Sequence, residues 1–370
     1  MMNTHLPIYL YEQFFDQAET DAVALCMSRE RFNDNIEINE FQAGFSQKIG
    51  VPHSIAVANG SCALHLTMLT AGITAGDEVI VPSLTFVATA NAVSYTGAQA
   101  IFADVNPDTW QMGAAEVEPL ITSRTKAIIA VHLYGHACPL RELQELAERH
   151  HLLLIEDCAE ALGTTYAGEQ VGIHADAAIF SFYKNKTITT GEGGMVITRH
   201  ANWHEHIVKL KSHGMPLDRR FWYEMVGYNY RMTNVSAAIG IAQLAKLDQF
   251  IARKRNIRDQ YQKELRNLPI VFQAEVPDSA SACWLISMTL SSESVRDALA
   301  QFLLDRQIQS RPVFLPVQRF PMYADATWPT PAADRIAECG LSLPSWPGLS
   351  DPQIDIITNA IQLFFAETPT

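Results

Sequence analysis

The feature that most constrains the fold is an alternation of short apolar segments with helical patterns over residues 54–198. The apolar segments are rich in β-branched residues and predict strands, while stretches such as 140–150 have amphipathic helical spacing. Strands that are apolar along their whole length are typical of parallel sheets buried on both faces. The alternation therefore predicts an α/β fold with a mainly parallel central sheet and helices on both faces. The predicted strands are 54–58, 78–82, 98–104, 126–132, 152–156, 177–182 and 195–198.

The pattern changes in the last third of the chain, where short strands and helices mix. The predicted elements there are a long helix at 246–265, a strand at 284–290 and helices at 294–306 and 351–365. We expect a large domain over residues 1–245 and a smaller C-terminal α+β domain over residues 246–370. The basic run Arg253, Lys254 and Arg255 on the long helix is interpreted as a solvated face.

The net charge and the cysteine spacing limit the classes of partner. A net charge of −13 argues against a nucleic-acid partner, because phosphate backbones are bound mainly by excess lysine and arginine. The six cysteines form no CxxC pair, so they predict neither a zinc site nor a disulfide framework. The start, MMNTHLPIYLYEQFF, lacks a signal-peptide pattern, and no apolar stretch reaches the roughly 20 residues of a membrane span. We expect a cytoplasmic protein without a membrane partner.

The segment 181–195 carries the most informative polar residues, because it follows the end of a predicted strand. It contains two lysines, Lys184 and Lys186, followed by the glycines 191, 193 and 194. A neutral lysine amine can form an imine with a carbonyl group. Ligands of parallel sheets collect beyond the carboxyl ends of the strands. A surface lysine followed by a glycine turn is also consistent with this sequence, so the segment alone leaves both interpretations open.

A carboxylate and an anion site are predicted at two other strand ends. Asp157 follows an apolar strand, where a buried carboxylate needs a cationic or strong hydrogen-bond partner. The N–H of a protonated pyridine ring, as in pyridoxal phosphate (PLP), is such a partner. Gly60 and Ser61 open a helix whose first amides suit a phosphate. Phe86 lies just past a further strand end, where it could stack on a flat ring. A helix-capping aspartate or a core phenylalanine are the alternatives.

Together, these motifs resemble the sugar-nucleotide aminotransferases of the DegT/DnrJ/EryC1/StrS family, which are fold-type-I PLP enzymes. The resemblance covers nearly the whole chain, from about Pro7 to Phe365. It is strongest in SFYKNKTITTGEGGM, where the family pattern puts the imine on Lys186. The other matching motifs are ANGS, GDEVIVPSLTFVATANAV, VHLYGH, IEDCAEALG and GYNYRMTN.

The resemblance implies a role for each site residue. Asp157 would bind the pyridine nitrogen of PLP, and Glu160 would lie close to the ring hydroxyl. Ser61 and Ser181, with the turn at Gly60, would bind the phosphate. The remaining implied contacts are stacking by Phe86 and a bond from Asn229 to the cofactor phosphate of the neighbouring subunit. A homodimer with shared active sites follows from the role of Asn229.

The resemblance also implies the reaction. Glutamate would donate the amino group, leaving pyridoxamine 5′-phosphate as the intermediate form of the cofactor. The acceptor would be a nucleotide-linked 4-keto-6-deoxy sugar. Within the family, the sequence is most similar to the branch that converts GDP-4-keto-6-deoxymannose into GDP-perosamine. The same reaction on a dTDP- or UDP-linked sugar is the alternative, and a PLP-binding regulator without turnover is a further one.

The residues that bind the substrate are predicted less directly. Arg311, in the Arg-Pro-Val-Phe motif, is a candidate substrate ligand. Gln318 stands where the perosamine branch commonly has histidine, and Lys184 replaces a common glycine. The segment 31–37 also departs from the family pattern. A metal centre is not expected on His200 with His204, which have helical spacing but no third ligand nearby, or on His132 with His136, which fall at a strand end.

Overall fold

A computed structural model describes residues 7–29, 34–216, 218–219, 221–325 and 328–367. The strands are β1 His53–Val57, β2 Glu78–Pro82, β3 Gln99–Ala103, β4 Thr125–Val131, β5 Leu153–Asp157, β6 Thr165–Tyr166, β7 Glu169–Gln170, β8 Ala177–Ser181, β9 Gly194–Thr198, β10 Val271–Phe272, β11 Ser279–Ala280, β12 Ile286–Thr289, β13 Arg311–Pro312 and β14 Gly340–Leu343. The helices are α1 Gln17–Met27, α2 Ile36–Ile49, α3 Gly60–Thr70, α4 Ala88–Ser94, α5 Ala114–Val117, α6 Leu140–His150, α7 Ala201–Leu210, α8 Asn234–Ala245, α9 Leu247–Leu265, α10 Glu293–Leu304, α11 Pro331–Cys339 and α12 Asp351–Glu367.

Seven of these strands form the central sheet, in the order β1-β9-β8-β5-β4-β2-β3. The strands β8, β5, β4, β2 and β3 are parallel neighbours, whereas β9 is antiparallel to both β1 and β8. No helix separates β8 from β9, so the chain returns directly beside the strand it has just left. The mainly parallel α/β fold predicted from the alternating segments is confirmed.

The central sheet buries apolar side chains on both faces. Because strand side chains alternate, Ile80 packs on one face with α2 and α6, while Val79 and Val81 pack on the other with α3, α4 and α7. On the first face, Phe41 and Phe45 of α2 contact the aromatic rings at the end of β8 edge-on, with centroids 5.0–5.7 Å apart. Each such ring contributes roughly 1.5–3 kcal/mol on burial. This packing fixes the sheet end from which the segment 182–193 departs.

The C-terminal part of the chain forms a second, antiparallel sheet in the order β10-β12-β14-β13. A third apolar cluster joins this sheet to α9, α10 and α12. Ile8, near the N-terminus, packs in the same cluster and bridges to Ile308. A domain boundary between residues 245 and 246 stays a prediction. In the described part of the chain, no helix combines the length and the apolarity that crossing a membrane requires.

The basic run on α9 is not the solvated face expected from the sequence. Lys254 is buried, and its ammonium group donates hydrogen bonds to the Trp284 and Ser345 carbonyl oxygens. Arg253 and Arg255 are half-buried and also donate to backbone carbonyls of the C-terminal part. The physical reason is that backbone carbonyl oxygens of the segments packed against α9 accept hydrogen bonds from these side chains. A charge run does not reveal such backbone acceptors from elsewhere in the chain.

Gly194, the first residue of β9, lies against the turn that follows β1. A Cβ atom at this position would stand 2.5 Å from the carbonyl oxygen of Asn59 and 2.8 Å from the Gly60 nitrogen. We therefore expect Gly194→Ala to lower the free energy of unfolding by about 2–3 kcal/mol, because backbone must shift to make room.

The measurement is chemical denaturation, with Gly44→Ala as the matched control. Gly44 is in the helix α2, and a Cβ there would meet only Leu244 at an ordinary contact distance of 3.5 Å. This control should be neutral or stabilising, because alanine favours a helix over glycine. Equal stability losses in the two variants would contradict the packing described for β9.

Candidate active site

A cavity of about 360 Å³ opens at the carboxyl edge of the central sheet. Its volume is in the range of small-molecule sites, and its position is where ligands of parallel sheets bind. Eight of the residues singled out in the sequence line it: Gly60, Ser61, Phe86, Asp157, Glu160, Ser181, Lys186 and Arg311. The fold thus brings together residues from four strand ends and from the C-terminal part of the chain.

Asp157 ends β5 at the floor of this cavity. Its carboxylate accepts hydrogen bonds from the Thr89 hydroxyl (2.8 Å) and the Ala159 amide (3.1 Å). Burial raises the pKa of Asp157, although these two bonds and the nearby charge of Lys186 act in the opposite direction. A charged N–H donor placed against this carboxylate would offset its desolvation and would itself be held protonated.

Lys186 lies in the segment between β8 and β9, with its amine inside the cavity. The Nζ atom is 3.4 Å from Oε1 of Glu160 and 3.9 Å from the centre of the Trp284 indole ring. Burial lowers the pKa of Lys186, and the negative charges of Glu160 and Asp157 only partly counteract it. A lowered pKa increases the neutral fraction of the amine, which is the nucleophilic form.

Glu160 is held by the backbone of a strained residue. Its Oε2 accepts a hydrogen bond from the Tyr134 amide at 2.8 Å, and Tyr134 has a left-handed φ of 58°. The Tyr134 ring stacks between those of Trp284 and Phe314, with interplanar angles of 9° and 15°. Its hydroxyl accepts a bond from the Phe314 amide. This aromatic stack forms one wall of the cavity and ties it to the C-terminal part.

The opposite end of the cavity is suited to an anion. The helix α3 begins at Gly60, and the side chain of Asn59 caps it by accepting from the Cys62 amide at 2.9 Å. The Ser61 side chain and Ser181 also line this end. A Cβ at Gly60 would stand 3.1 Å from the Ser181 Cβ, so glycine keeps the strand end and the helix close. A helix N-terminus with two hydroxyl groups is a typical phosphate site.

Three residues predicted from the sequence lie outside the cavity of their own chain. The Gln318 side chain is bound to Ser83 and Thr330. The ammonium group of Lys184 lies over the ring of its neighbour Tyr183, at 5.6 Å from the centroid. Asn229 is exposed and accepts two 3.1 Å hydrogen bonds from Arg231. Of the segment 31–37, residues 31–33 lie outside the described residues.

The sequence reasoning missed three residues that shape the site. Trp284 faces the Lys186 amine, Thr89 binds Asp157, and Tyr134 orients Glu160. Trp284 comes from the distant C-terminal part, and neither its spacing nor its neighbours mark it as a site residue. Thr89 and Tyr134 belong to motifs that carry the resemblance. A motif does not show in which direction a hydroxyl group or an aromatic ring points, so their contacts could not be predicted.

A histidine at the end of β4 belongs to a buried polar network. Among the described residues, the three side chains that bring possible metal ligands within 4.8 Å of one another are His132, Glu156 and Cys158. Nδ1 of His132 accepts the Cys138 amide, so Nε2 carries the proton and donates to Glu156 at 2.9 Å. Glu156 also accepts the amides of Gly172 and His174. These bonds occupy both ring nitrogens of His132 and both carboxylate oxygens of Glu156.

The residues of the cavity fit PLP. The desolvated Asp157 suits the pyridine nitrogen, the Lys186 amine suits the aldehyde, and the start of α3 suits the phosphate. Phe86 leaves 55% of its surface exposed at the cavity, so a ring face is free for stacking. This set of groups on a mainly parallel sheet is that of a fold-type-I PLP enzyme.

Comparison with known proteins identifies the family. The model of the DegT/DnrJ/EryC1/StrS aminotransferase family matches residues 14–362. The chain belongs to this family and is a PLP-dependent aminotransferase, as the motifs predicted. Three similar relatives are named GDP-perosamine synthase. They come from Escherichia coli O157:H7 (44% identical, covering 89% of this chain and 90% of that protein), Vibrio cholerae (43%, 89% and 90%) and Caulobacter vibrioides (42%, 94% and 95%).

Solved structures agree with this assignment. The S. venezuelae enzyme DesV is 33% identical with a TM-score of 0.90, and the match covers 95% of both chains. A DegT/DnrJ/EryC1/StrS aminotransferase from Brucella abortus is 29% identical with a TM-score of 0.89, covering 94% of this chain and 95% of that one. The fold class predicted from the sequence is therefore confirmed over nearly the whole chain.

The contact between Glu160 and Lys186 predicts how a substitution changes the pH dependence of PLP uptake. The Glu160 charge favours the protonated amine, so Glu160→Gln should lower the pKa of Lys186 further. The neutral amine then appears at lower pH, and the midpoint of PLP uptake by the cofactor-free protein should fall by about one pH unit. Uptake rates are followed by absorbance across a pH series.

Glu192→Gln is the matched control for this measurement. Glu192 also lines the cavity, but it is exposed and is not among the groups that shift the Lys186 pKa. Its substitution should leave the midpoint where it is in the unaltered protein. A midpoint that stays constant or rises in Glu160→Gln would contradict the electrostatic role given to Glu160.

Proposed function

We propose that this protein transfers the amino group of glutamate to C4 of GDP-4-keto-6-deoxymannose, giving GDP-perosamine. The observation that carries the proposal is the similarity to three GDP-perosamine synthases, at 42–44% identity over about nine-tenths of each chain. The cavity supports it, because an amine, two carboxylates and an anion site surround one volume. A dTDP- or UDP-linked sugar of the same type is the alternative substrate.

Lys186 would be both the cofactor attachment point and the proton carrier. Bound PLP supplies an electron sink for the bonds that break at the donor and form at the sugar. In the first half of the reaction, the Lys186 amine would take the proton from Cα of glutamate. In the second half, it would deliver a proton to C4 of the sugar. A pKa lowered by burial increases the fraction of the amine that is neutral and can act as a base.

The two carboxylates would act on the cofactor from different sides. Asp157 would hold the pyridine nitrogen protonated, and Thr89 fixes its orientation through the 2.8 Å hydrogen bond. Glu160, oriented by the Tyr134 amide, would lie near the ring hydroxyl and the Lys186 amine. Gly60, Ser61 and Ser181 would bind the phosphate. The aromatic stack beside Lys186 would keep water away from the reacting atoms.

A homodimer with shared active sites would complete the cavity. Asn229 lies in a segment that carries exposed apolar side chains, among them Phe221 (85% exposed) and Val226 (88% exposed). Apolar groups in such a patch typically mark a protein interface. In the dimer, Asn229 would reach the cofactor phosphate of the neighbouring subunit. Arg311, Gln318, Lys184 and the segment 31–37 are the proposed determinants of substrate choice.

The direct test is turnover with three nucleotide sugars. The purified protein is supplied with glutamate and with 4-keto-6-deoxy sugars linked to GDP, dTDP or UDP, and the amino sugar is detected by mass spectrometry. We expect the highest kcat/KM for the GDP sugar. A preference for dTDP or UDP would reject the perosamine assignment but keep the reaction. Cofactor absorbance without any amino transfer would indicate a PLP-binding regulator.

Mixed subunits test the shared site. Lys186→Ala and Asn229→Asp should each be nearly inactive alone, the second because its charge would repel the phosphate. Unfolded and refolded together, they should regain about a quarter of the unaltered activity, since half of the dimers would then hold one intact composite site. Activity equal to the sum of the separate variants would contradict sharing.

A further inference from the structure

A single tryptophan contacts both the turn that carries Lys186 and the amine of that lysine. Residues 183–186 form this turn, which is closed by a 2.9 Å hydrogen bond from the Lys186 amide to the carbonyl oxygen of the first residue. The Asn185 carbonyl oxygen accepts a 2.7 Å bond from Nε1 of Trp284, whose ring centre lies 3.9 Å from the Lys186 Nζ atom. A group that fixes Trp284 therefore also fixes the place of the amine in the large cavity at the sheet edge.

Lys254 holds the backbone of Trp284. This lysine of α9 is buried, and its ammonium group donates hydrogen bonds to the carbonyl oxygens of Trp284, at 3.1 Å, and of Ser345. Burial lowers the pKa of Lys254 to about 8, so the group is mostly charged at neutral pH. An ammonium group has three hydrogens to donate, and the two carbonyls take two of them. A third acceptor would lower the cost of burying the charge.

A small cavity of about 20 Å³ borders this buried ammonium group and the turn. Asn185, Lys186 and Trp284 line the small cavity as well as the large one, so they form the partition between the two. Three lining side chains bring buried polar atoms that have no hydrogen-bond partner in the described part of the chain. These atoms are Asn185 Oδ1, Ser345 Oγ and Trp346 Nε1. Since unpartnered buried polar atoms are costly, the three together indicate a polar ligand at this place.

The volume and the hydrogen-bonding groups of the small cavity fit one water molecule. About 10–15 Å³ is enough for a water, and two to four polar partners are needed to hold it. A water molecule accepts two hydrogen bonds and donates two. Trp346 Nε1 and the third hydrogen of Lys254 are donors, whereas Asn185 Oδ1 and Ser345 Oγ can accept. The positive charge of Lys254 disfavours a metal ion at the same place.

We infer that Lys254 is a positioning residue for the Lys186 amine, acting through Trp284 and through a water molecule bound in the small cavity. Its ammonium group fixes the backbone that carries the indole ring, and the water joins the same group to the Asn185 side chain in the turn. Lys254 lines only the small cavity, so it acts on the reacting amine through these partners. The inference rests on the proposed attachment of PLP to Lys186.

A double-mutant cycle on PLP uptake tests this role. Uptake bonds the Lys186 nitrogen to the aldehyde carbon, and the aldehyde oxygen leaves as water; absorbance gives the rate for the cofactor-free protein. Lys254→Met removes the ammonium group, and Trp284→Phe keeps a ring but removes the donor to the turn. Each should slow uptake roughly tenfold, because the amine is no longer held in place. The double variant should lose about 10- to 20-fold, well below the 100-fold product, since both changes break one chain of contacts. Losses that multiply would overturn the inference.

Arg253→Met is the matched control for Lys254→Met. Arg253 lies on the same helix, donates to the Leu349 carbonyl and pairs with Asp351 at 2.8 Å, and none of these residues lines either cavity. Its substitution should change the uptake rate by less than about twofold, even where it lowers stability. A loss in Lys254→Met no larger than in this control would contradict the positioning role. If Lys254→Met does not fold, Lys254→Gln replaces it, with an expected loss of roughly threefold because one amide group keeps part of the bonding.

Two measurements without PLP separate the inference from the proposed function. Hydrogen exchange in the cofactor-free protein should be at least about tenfold faster at the Lys186 amide in Lys254→Met, and unchanged in Arg253→Met. A high-resolution crystal structure should show an ordered water bonded to Ser345 and Trp346. Unchanged exchange, or a dry small cavity, would overturn the inference. If Lys186→Ala instead takes up PLP with the absorbance of the unaltered protein, the proposed attachment fails, while the exchange result still decides whether Lys254 holds the turn.

Discussion

Asp157 and Lys186 are both removed from water at the carboxyl edge of the central sheet, and the rest of the site follows from the cost of this burial. Desolvation raises the pKa of the carboxyl group and lowers that of the amine. Each change disfavours the charged form of its group. Both groups would therefore be stabilised by ligand groups that the chain itself does not supply. A pyridine ring with an aldehyde would offer both. Hydrogen bonds from Thr89 and Ala159 hold the Asp157 carboxylate, and Glu160 contacts the Lys186 amine.

The C-terminal part of the chain contributes side chains directly to this site. It contributes Trp284, Arg311 and Phe314 to a cavity whose floor is built by the sheet. The ring of Tyr134 joins the two parts, because it stacks on Trp284 and Phe314 while its backbone holds Glu160. The Lys254 ammonium group on α9 donates a hydrogen bond to the Trp284 carbonyl oxygen. The position of the indole ring against Lys186 therefore depends on packing between both parts.

Much of the fold could be predicted from the sequence, because buried parallel strands are apolar along their length. The strand ends also placed Asp157 and Ser61 at one edge, although neither spacing nor composition could choose between Lys184 and Lys186. The family pattern favoured Lys186, whose amine lies in the cavity, whereas that of Lys184 lies over Tyr183. Trp284 and the burial of Lys254 could not be predicted, since both depend on contacts between distant segments. Gln318 is bound to Ser83, a contact that only the folded chain reveals.

The central claim is that the cofactor is attached to Lys186, and chemical trapping tests it most directly. The PLP-loaded protein is reduced with borohydride, which makes the link between cofactor and lysine permanent, and is then digested and sequenced by mass spectrometry. The account predicts the phosphopyridoxyl group on Lys186 and none on Lys184. Attachment to Lys184 or to another lysine would contradict it.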